Sequence, residues 1–157
     1  MNSNAACSMV ELVVSLGVLS FAFVGLLGLL PVGMTTFGKA IDTSVGMQIS
    51  QRVVDEALLT DFNTFLGKAQ AVRYFDDQAN ELTSATGAIY YVNVRTLPAV
   101  TVPGATDANS NLAEITVQIA TNPAAKKLVL DANNLWTADP TVPMSSYTTF
   151  LAGYCLQ

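Results

Sequence analysis

The sequence predicts an α+β protein: a long N-terminal α-helix, membrane-spanning in its first half and amphipathic in its second, packed on a small antiparallel β-sheet. Three observations lead there. Residues 12–32 form an uncharged apolar run. Residues 33–66 turn polar while keeping apolar side chains at helical spacing. Beyond Gly67 the pattern shifts to period two, with short apolar runs separated by turn formers.

From Leu12 to Val32 there are 21 residues without a charge. At the helical rise they cover about 31 Å, the thickness of a bilayer's hydrocarbon core. One carboxylate, Glu11, stands at the head of this run. An ionised side chain near the bilayer centre costs about 3 kcal/mol or more, so a span has no need of it for its own sake. A secretory signal fits poorly: Met1–Ala6 holds no basic residue, the apolar run is too long, and no small-residue cleavage site follows it. A lipobox would place the apolar segment before Cys7, and here it comes after. The segment is therefore expected to be retained, giving a short leader at 1–6 and a transmembrane helix at 7–32.

Composition narrows the rest. The 157 residues leave room for one globular domain beyond the apolar segment. Charged residues make up 12%, half the usual share, so part of the chain avoids water. The net charge is −5 and the seven Lys and Arg are scattered, which argues against a nucleic-acid groove. There is no histidine, and the two cysteines lie at opposite ends, so the usual zinc site lacks ligands. A helix running from Cys7 across a membrane would hold it far beyond disulfide reach of Cys155. Cys155 is then either a buried small hydrophobe or the site of an intermolecular bridge.

The second half of the helix is read from Met34, Phe37, Ile41, Val45, Ile49, Val53, Leu58, Phe62 and Phe65, spaced as one apolar face over 33–66. Pro31 and Gly33 are expected to kink or loosen the junction, since proline removes an intrahelical hydrogen bond and glycine lowers helix propensity. The alternative is two separate helices joined by a loop.

The remainder, 67–157, is expected to be the β-rich domain. Residues 72–75 lead into the turn-forming cluster 76–81. Residues 88–95 read as a strand rich in aromatic and β-branched residues, and 97–111, with two prolines, as a loop. From Leu112 to Thr121 the alternation places Ile115, Val117 and Ile119 on one face of a half-buried antiparallel strand. Residues 127–130 read as a short returning partner, 131–145 as a second loop, and 147–156 as a last strand.

Few residues suggest chemistry. Cleavage after Ala6 would give Cys7 a free amine one helical turn from Glu11. In a bundle of such helices Glu11 would enter a low-dielectric interior, and a neighbour's ammonium would both satisfy it and fix the axial register. Equally, Glu11 could sit solvated at the headgroup boundary. Asp76, Asp77 and Glu81 offer several oxygens in one loop, as Ca²⁺ requires, but lack EF-hand spacing and read more simply as a solvated turn. Asp55 and Glu56 are adjacent and point to different helix faces, so they make no acid/base pair. Tyr90, Tyr91 and Trp136 read as core or sheet packing rather than a stacking platform.

The run Ser8–Phe21, S-M-V-E-L-V-V-S-L-G-V-L-S-F, resembles the prepilin N-terminal methylation motif of type IV pilins and type II secretion pseudopilins. Leu29–Met34, Tyr74–Gln78 and Asn134–Thr137 are similar to the prepilin-like B proteins of Verru_Chthon cassettes. The resemblance implies a pilin-like fold, with insertion in the inner membrane as a single pass and the domain outside the cytoplasm. It also implies trimming and N-methylation by a prepilin peptidase between Ala6 and Cys7, and assembly with other pilin-like subunits through the N-terminal helix, Glu11 being the assembly determinant. The chain departs from the pattern at Ala6, where glycine is usual, at Cys7, where phenylalanine or methionine is usual, and in its uncharged leader. The absence of a C-terminal two-cysteine loop points to a minor pilin or pseudopilin role. The rival expectation is a single-pass anchor for a β-rich binding domain, neither processed nor polymerised. No nucleophile–base pair, phosphate loop or cofactor motif suggests an enzyme.

Overall fold

A computed structural model describes residues 8–67, 71–102 and 104–153. The apolar run and the amphipathic stretch form one helix, α1 (Met9–Leu59), assigned without interruption through Pro31. The separate helices considered above are not seen. Proline forfeits one backbone bond, and the turn that follows gains two side-chain bonds: the hydroxyls of Thr35 and Thr36 each donate to the Val32 carbonyl at 2.9 Å. The chain divides into two units, Met1–Ile41 and Asp42–Gln157. In the first, every described residue is exposed.

In the second unit α1 ends at Leu59, earlier than periodicity suggests, and α2 (Phe62–Gly67) follows. Asp61 starts it as an N-cap, its Oδ1 accepting from the Thr64 backbone N–H at 3.0 Å and the Thr64 hydroxyl at 3.1 Å. Five strands follow: β1 (Arg73–Phe75), β2 (Glu81–Leu82), β3 (Tyr90–Val100), β4 (Asn109–Thr121) and β5 (Met144–Ala152). They form one antiparallel sheet in the order β2-β1-β3-β4-β5.

One sheet face carries the main core. Val45, Ile49, Val53 and Ala57, four residues apart on α1, pack with Phe75, Tyr90, Val92, Val94, Leu151 and the β4 row Ile115, Val117 and Ile119. The expected β4 alternation is therefore present. The expected helix stripe is buried only in part: Val45, Ile49, Val53 and Phe65 are buried and Phe62 is half-buried, while Met34, Phe37, Ile41 and Leu58 remain exposed. On the opposite face Tyr91, Ala88, Ala120, Trp136 and Val142 form a smaller cluster. The segment between β4 and β5 lies over it, and Tyr90, Tyr91 and Trp136 are all buried.

Two strand expectations are corrected. Residues 127–130 form no returning strand, only an isolated bridge from Leu130 to Trp136, and β4's partner is β5. The reason is Asn122, which is buried. Its side chain donates to the Lys126 carbonyl at 2.8 Å and accepts from the Lys126 N–H at 2.9 Å, turning the chain away from the ladder. Residues 97–100 and 109–111 of the expected 97–111 loop are strand, the first despite Pro98. The Asn122 N–H donates to the Ile89 carbonyl, which sets the β3–β4 phase so that even-numbered β3 residues aim their backbone groups away from β4. Pro98 thus omits a donor that β4 does not use.

Candidate functional site

The Met1–Ile41 unit holds the apolar first part of α1, the one helix among the described residues long and apolar enough to cross a membrane. Its beginning is built by Ser8. The Ser8 carbonyl accepts from the N–H groups of Glu11 at 2.9 Å and Leu12 at 3.2 Å, and its Oγ accepts from the Val10 N–H at 3.4 Å. Ser8 is thus the N-cap and Glu11 the third helical residue, the S-x-x-E spacing of a capping box. This is a local reason for a carboxylate at position 11, and the helix N-terminus favours negative charge there. Sequence reasoning treated Glu11 as a misfit and overlooked the serine three residues before it. From Leu12 through Gly38 no charge interrupts the helix, and side chains such as Phe21, 84% exposed, present their apolar surface outward. So extensive an apolar surface requires a covering of lipid or protein. Ala6, Cys7 and Cys155 lie outside the described residues.

In the Asp42–Gln157 unit the densest charge cluster centres on Arg73. Its Nε and Nη2 donate to the two oxygens of Glu81 at 2.7 and 2.8 Å, and its Nη1 donates to Glu56 Oε2 at 2.7 Å. Arg52 adds a looser contact to Glu81 Oε2 at 3.4 Å. Both guanidinium groups lie over the buried Phe75 ring, at 5.8 Å for Arg52 and 5.7 Å for Arg73. The bonds to Glu81, opposed by partial burial and reinforced by Glu56, hold Arg73 above its ordinary value. The cluster ties α1 to the β1–β2 hairpin. An open cleft of about 930 Å³ beside it is lined by Gln48, Gln51, Asp55 and Thr60 as well as both arginines. It offers amides and a hydroxyl for hydrogen bonding, and its cations face carboxylates.

The three acidic loop residues have separate duties. Asp76 Oδ1 accepts from the N–H groups of Gln78 at 2.9 Å and Asn80 at 2.8 Å, and its Oδ2 accepts from the Asn80 side chain at 3.0 Å. Glu81 belongs to the Arg73 cluster, and Asp77 is exposed in the turn. Among the described residues no group of three or more His, Cys, Asp or Glu is placed to hold a metal ion.

These turn carboxylates make stability pH-dependent. The Asn80 side chain first, then the backbone N–H groups, hold Asp76 below the ordinary 3.8. Thr64 does the same for Asp61, Leu135 for Asp131 and Thr141 for Asp139. A lowered folded-state value means that the unfolded chain takes up protons first as pH falls. The contribution is complete above about pH 5 and is lost on acidification through the depressed values. The urea midpoint should fall from pH 5 to pH 2, and Asp76→Asn should reduce that slope. An unchanged slope in the variant would show that Asp76 takes no part.

Tyr90 supplies a last fixed point. Its hydroxyl donates to Asp42 Oδ1 at 2.8 Å, holding the first turn of α1 in this unit to β3. Burial, then that carboxylate, raises the phenol above its usual range.

No protein-family model, curated protein or solved structure matches this chain.

Proposed function

We propose that this chain is a structural subunit, of minor-pilin or pseudopilin type, of a type IV filament or type II secretion-like system. The observation that carries the reading is the exposed apolar helix with a single carboxylate in its first turn, Glu11, ahead of a run without charge to Gly38. The S-M-V-E-L motif around it supports the same reading. On this account prepilin peptidase cuts between Ala6 and Cys7 and the new amine is methylated. The helix waits in the inner membrane with its β-rich domain outside the cytoplasm. Assembly moves the helix from lipid to a core of other pilin-like helices, where Glu11 meets a neighbour's terminal ammonium and sets the register. The role is structural, with no catalysis and no nucleic-acid partner.

A second reading is favoured by the Ser8 cap: Glu11 serves only to start the helix of a single-pass anchor that carries a β-rich binding domain. Glu11→Gln separates the two, because glutamine completes a capping box without charge. Under the filament reading both Glu11→Gln and Glu11→Ala insert in the membrane and fail to enter filaments, with incorporation reduced about a hundredfold or more, as the loss of about 3–5 kcal/mol from a broken buried ion pair implies. Normal incorporation of Glu11→Gln would remove the register role.

A further inference from the structure

We propose that the outer edge of β5 is a self-pairing surface through which two copies of this chain join strand to strand, antiparallel, about Thr148. The phase of the ladder identifies the groups involved. At one end of β5 the Thr121 N–H donates to the Pro143 carbonyl, and at the other the Gly153 N–H donates to the Asn111 carbonyl. With an uninterrupted register between them, odd-numbered β5 residues bond to β4 and even-numbered ones face away. Met144, Ser146, Thr148, Phe150 and Ala152 therefore turn their backbone N–H and C=O outward, and among the described residues these groups have no backbone partner.

The sheet's other open borders are protected. β2 is two residues long and carries Glu81 of the arginine cluster. The part of β3 beyond β1 has Pro98 at an outward position, followed by a register shift and Ala99 at φ 58°. Short length, charge, proline and bulges are the devices that keep sheet edges from pairing. β5 has none of them: it runs nine residues without proline or charge, and no charged residue occurs from Pro140 to Gln157.

A second copy is the occupant that fits. An antiparallel strand centred on the same residue sets Thr148 opposite Thr148, Ser146 opposite Phe150 and Met144 opposite Ala152, all outward-facing residues, so each outward donor meets an acceptor. The contact is isologous, as closed dimers require. It brings no like charges together, and it places two threonines side by side at the dyad, a favourable cross-strand pair. Phe150, 57% exposed, gains a neighbour across the strands. The inference concerns the Asp42–Gln157 unit and holds whether or not the chain enters a filament.

The test uses the full chain in mild detergent, with Cys7 and Cys155 replaced by serine and one cysteine added at a time. Thr148→Cys places two thiols on a directly opposed pair, with Cα atoms about 5.5 Å apart. Ser146→Cys places them four residues out of step on neighbouring strands, with Cα atoms about 14 Å apart. A thiol cross-linker spanning about 5 Å should give at least ten times more dimer from the first than from the second. Adding Phe150→Pro, which removes only an outward N–H, should abolish the Thr148→Cys dimer while Trp136 fluorescence stays native. Equal yields at 146 and 148, as chance collision or association through α1 alone would give, overturn the proposal, and so does no dimer at either position. If the proline variant unfolds, the contrast between 146 and 148 decides by itself.

Discussion

Replacing Phe75 by alanine should lower the stability of the Asp42–Gln157 unit by about 3–5 kcal/mol. The ring is fully buried in the main core, among side chains from α1 and the sheet. Its loss removes apolar burial and opens a cavity that β1, three residues long, is poorly placed to fill by moving. Two guanidinium groups also lose the ring beneath them. Since a domain's total stability is about 5–15 kcal/mol, this one change consumes a large part of it. Urea unfolding followed through Trp136 should show the midpoint falling sharply. A shift below about 1 kcal/mol would mean that the ring is not closely packed.

Arg73→Met should cost about 2 kcal/mol. Three charge-assisted bonds of 2.7–2.8 Å are lost, each worth about 1.5–3 kcal/mol in protected surroundings. The sum is not reached, because the Glu81 and Glu56 side chains keep 32% and 40% of their surface and water re-solvates them. Methionine retains cover over Phe75, so the change reads mostly the polar bonds. Arg73→Lys should recover only part, since an ammonium cannot span both Glu81 oxygens with a planar fork. A double-mutant cycle with Glu81→Gln should show coupling of about 1 kcal/mol or more, whereas strict additivity would deny the pair any role in stability.

What could be read from the sequence follows from the range of the forces involved. The long helix and the β4 alternation rest on hydropathy, which acts along the chain at fixed spacing, so both were legible. The end of α1 was missed because periodicity continues to Phe65 while a local competitor, the Asp61 cap, starts a new helix. The false strand at 127–130 failed for the same kind of reason, since Asn122 outbids the ladder for the Lys126 backbone. Pro98 misled because its effect depends on which side its missing N–H faces, and only the register decides that. The arginine cluster unites residues from 52 to 81, a pairing that no local pattern encodes. At Glu11 the charge was conspicuous, but the cap at Ser8 supplies a second reason for it. Met34, Phe37 and Ile41 continue the helix face beyond the point where the sheet buries it, which leaves that stretch for lipid or a neighbouring helix to cover.

On the proposed filament reading Glu11 acts with an amine created by cleavage, and the N-terminus of the mature protein distinguishes that role from capping alone. Protein isolated from membranes that carry the assembled system should, by intact mass and N-terminal peptide fragmentation, begin at Cys7 with a methylated amine. Functional protein retaining Met1 would contradict the account, leaving Glu11 with the capping role alone.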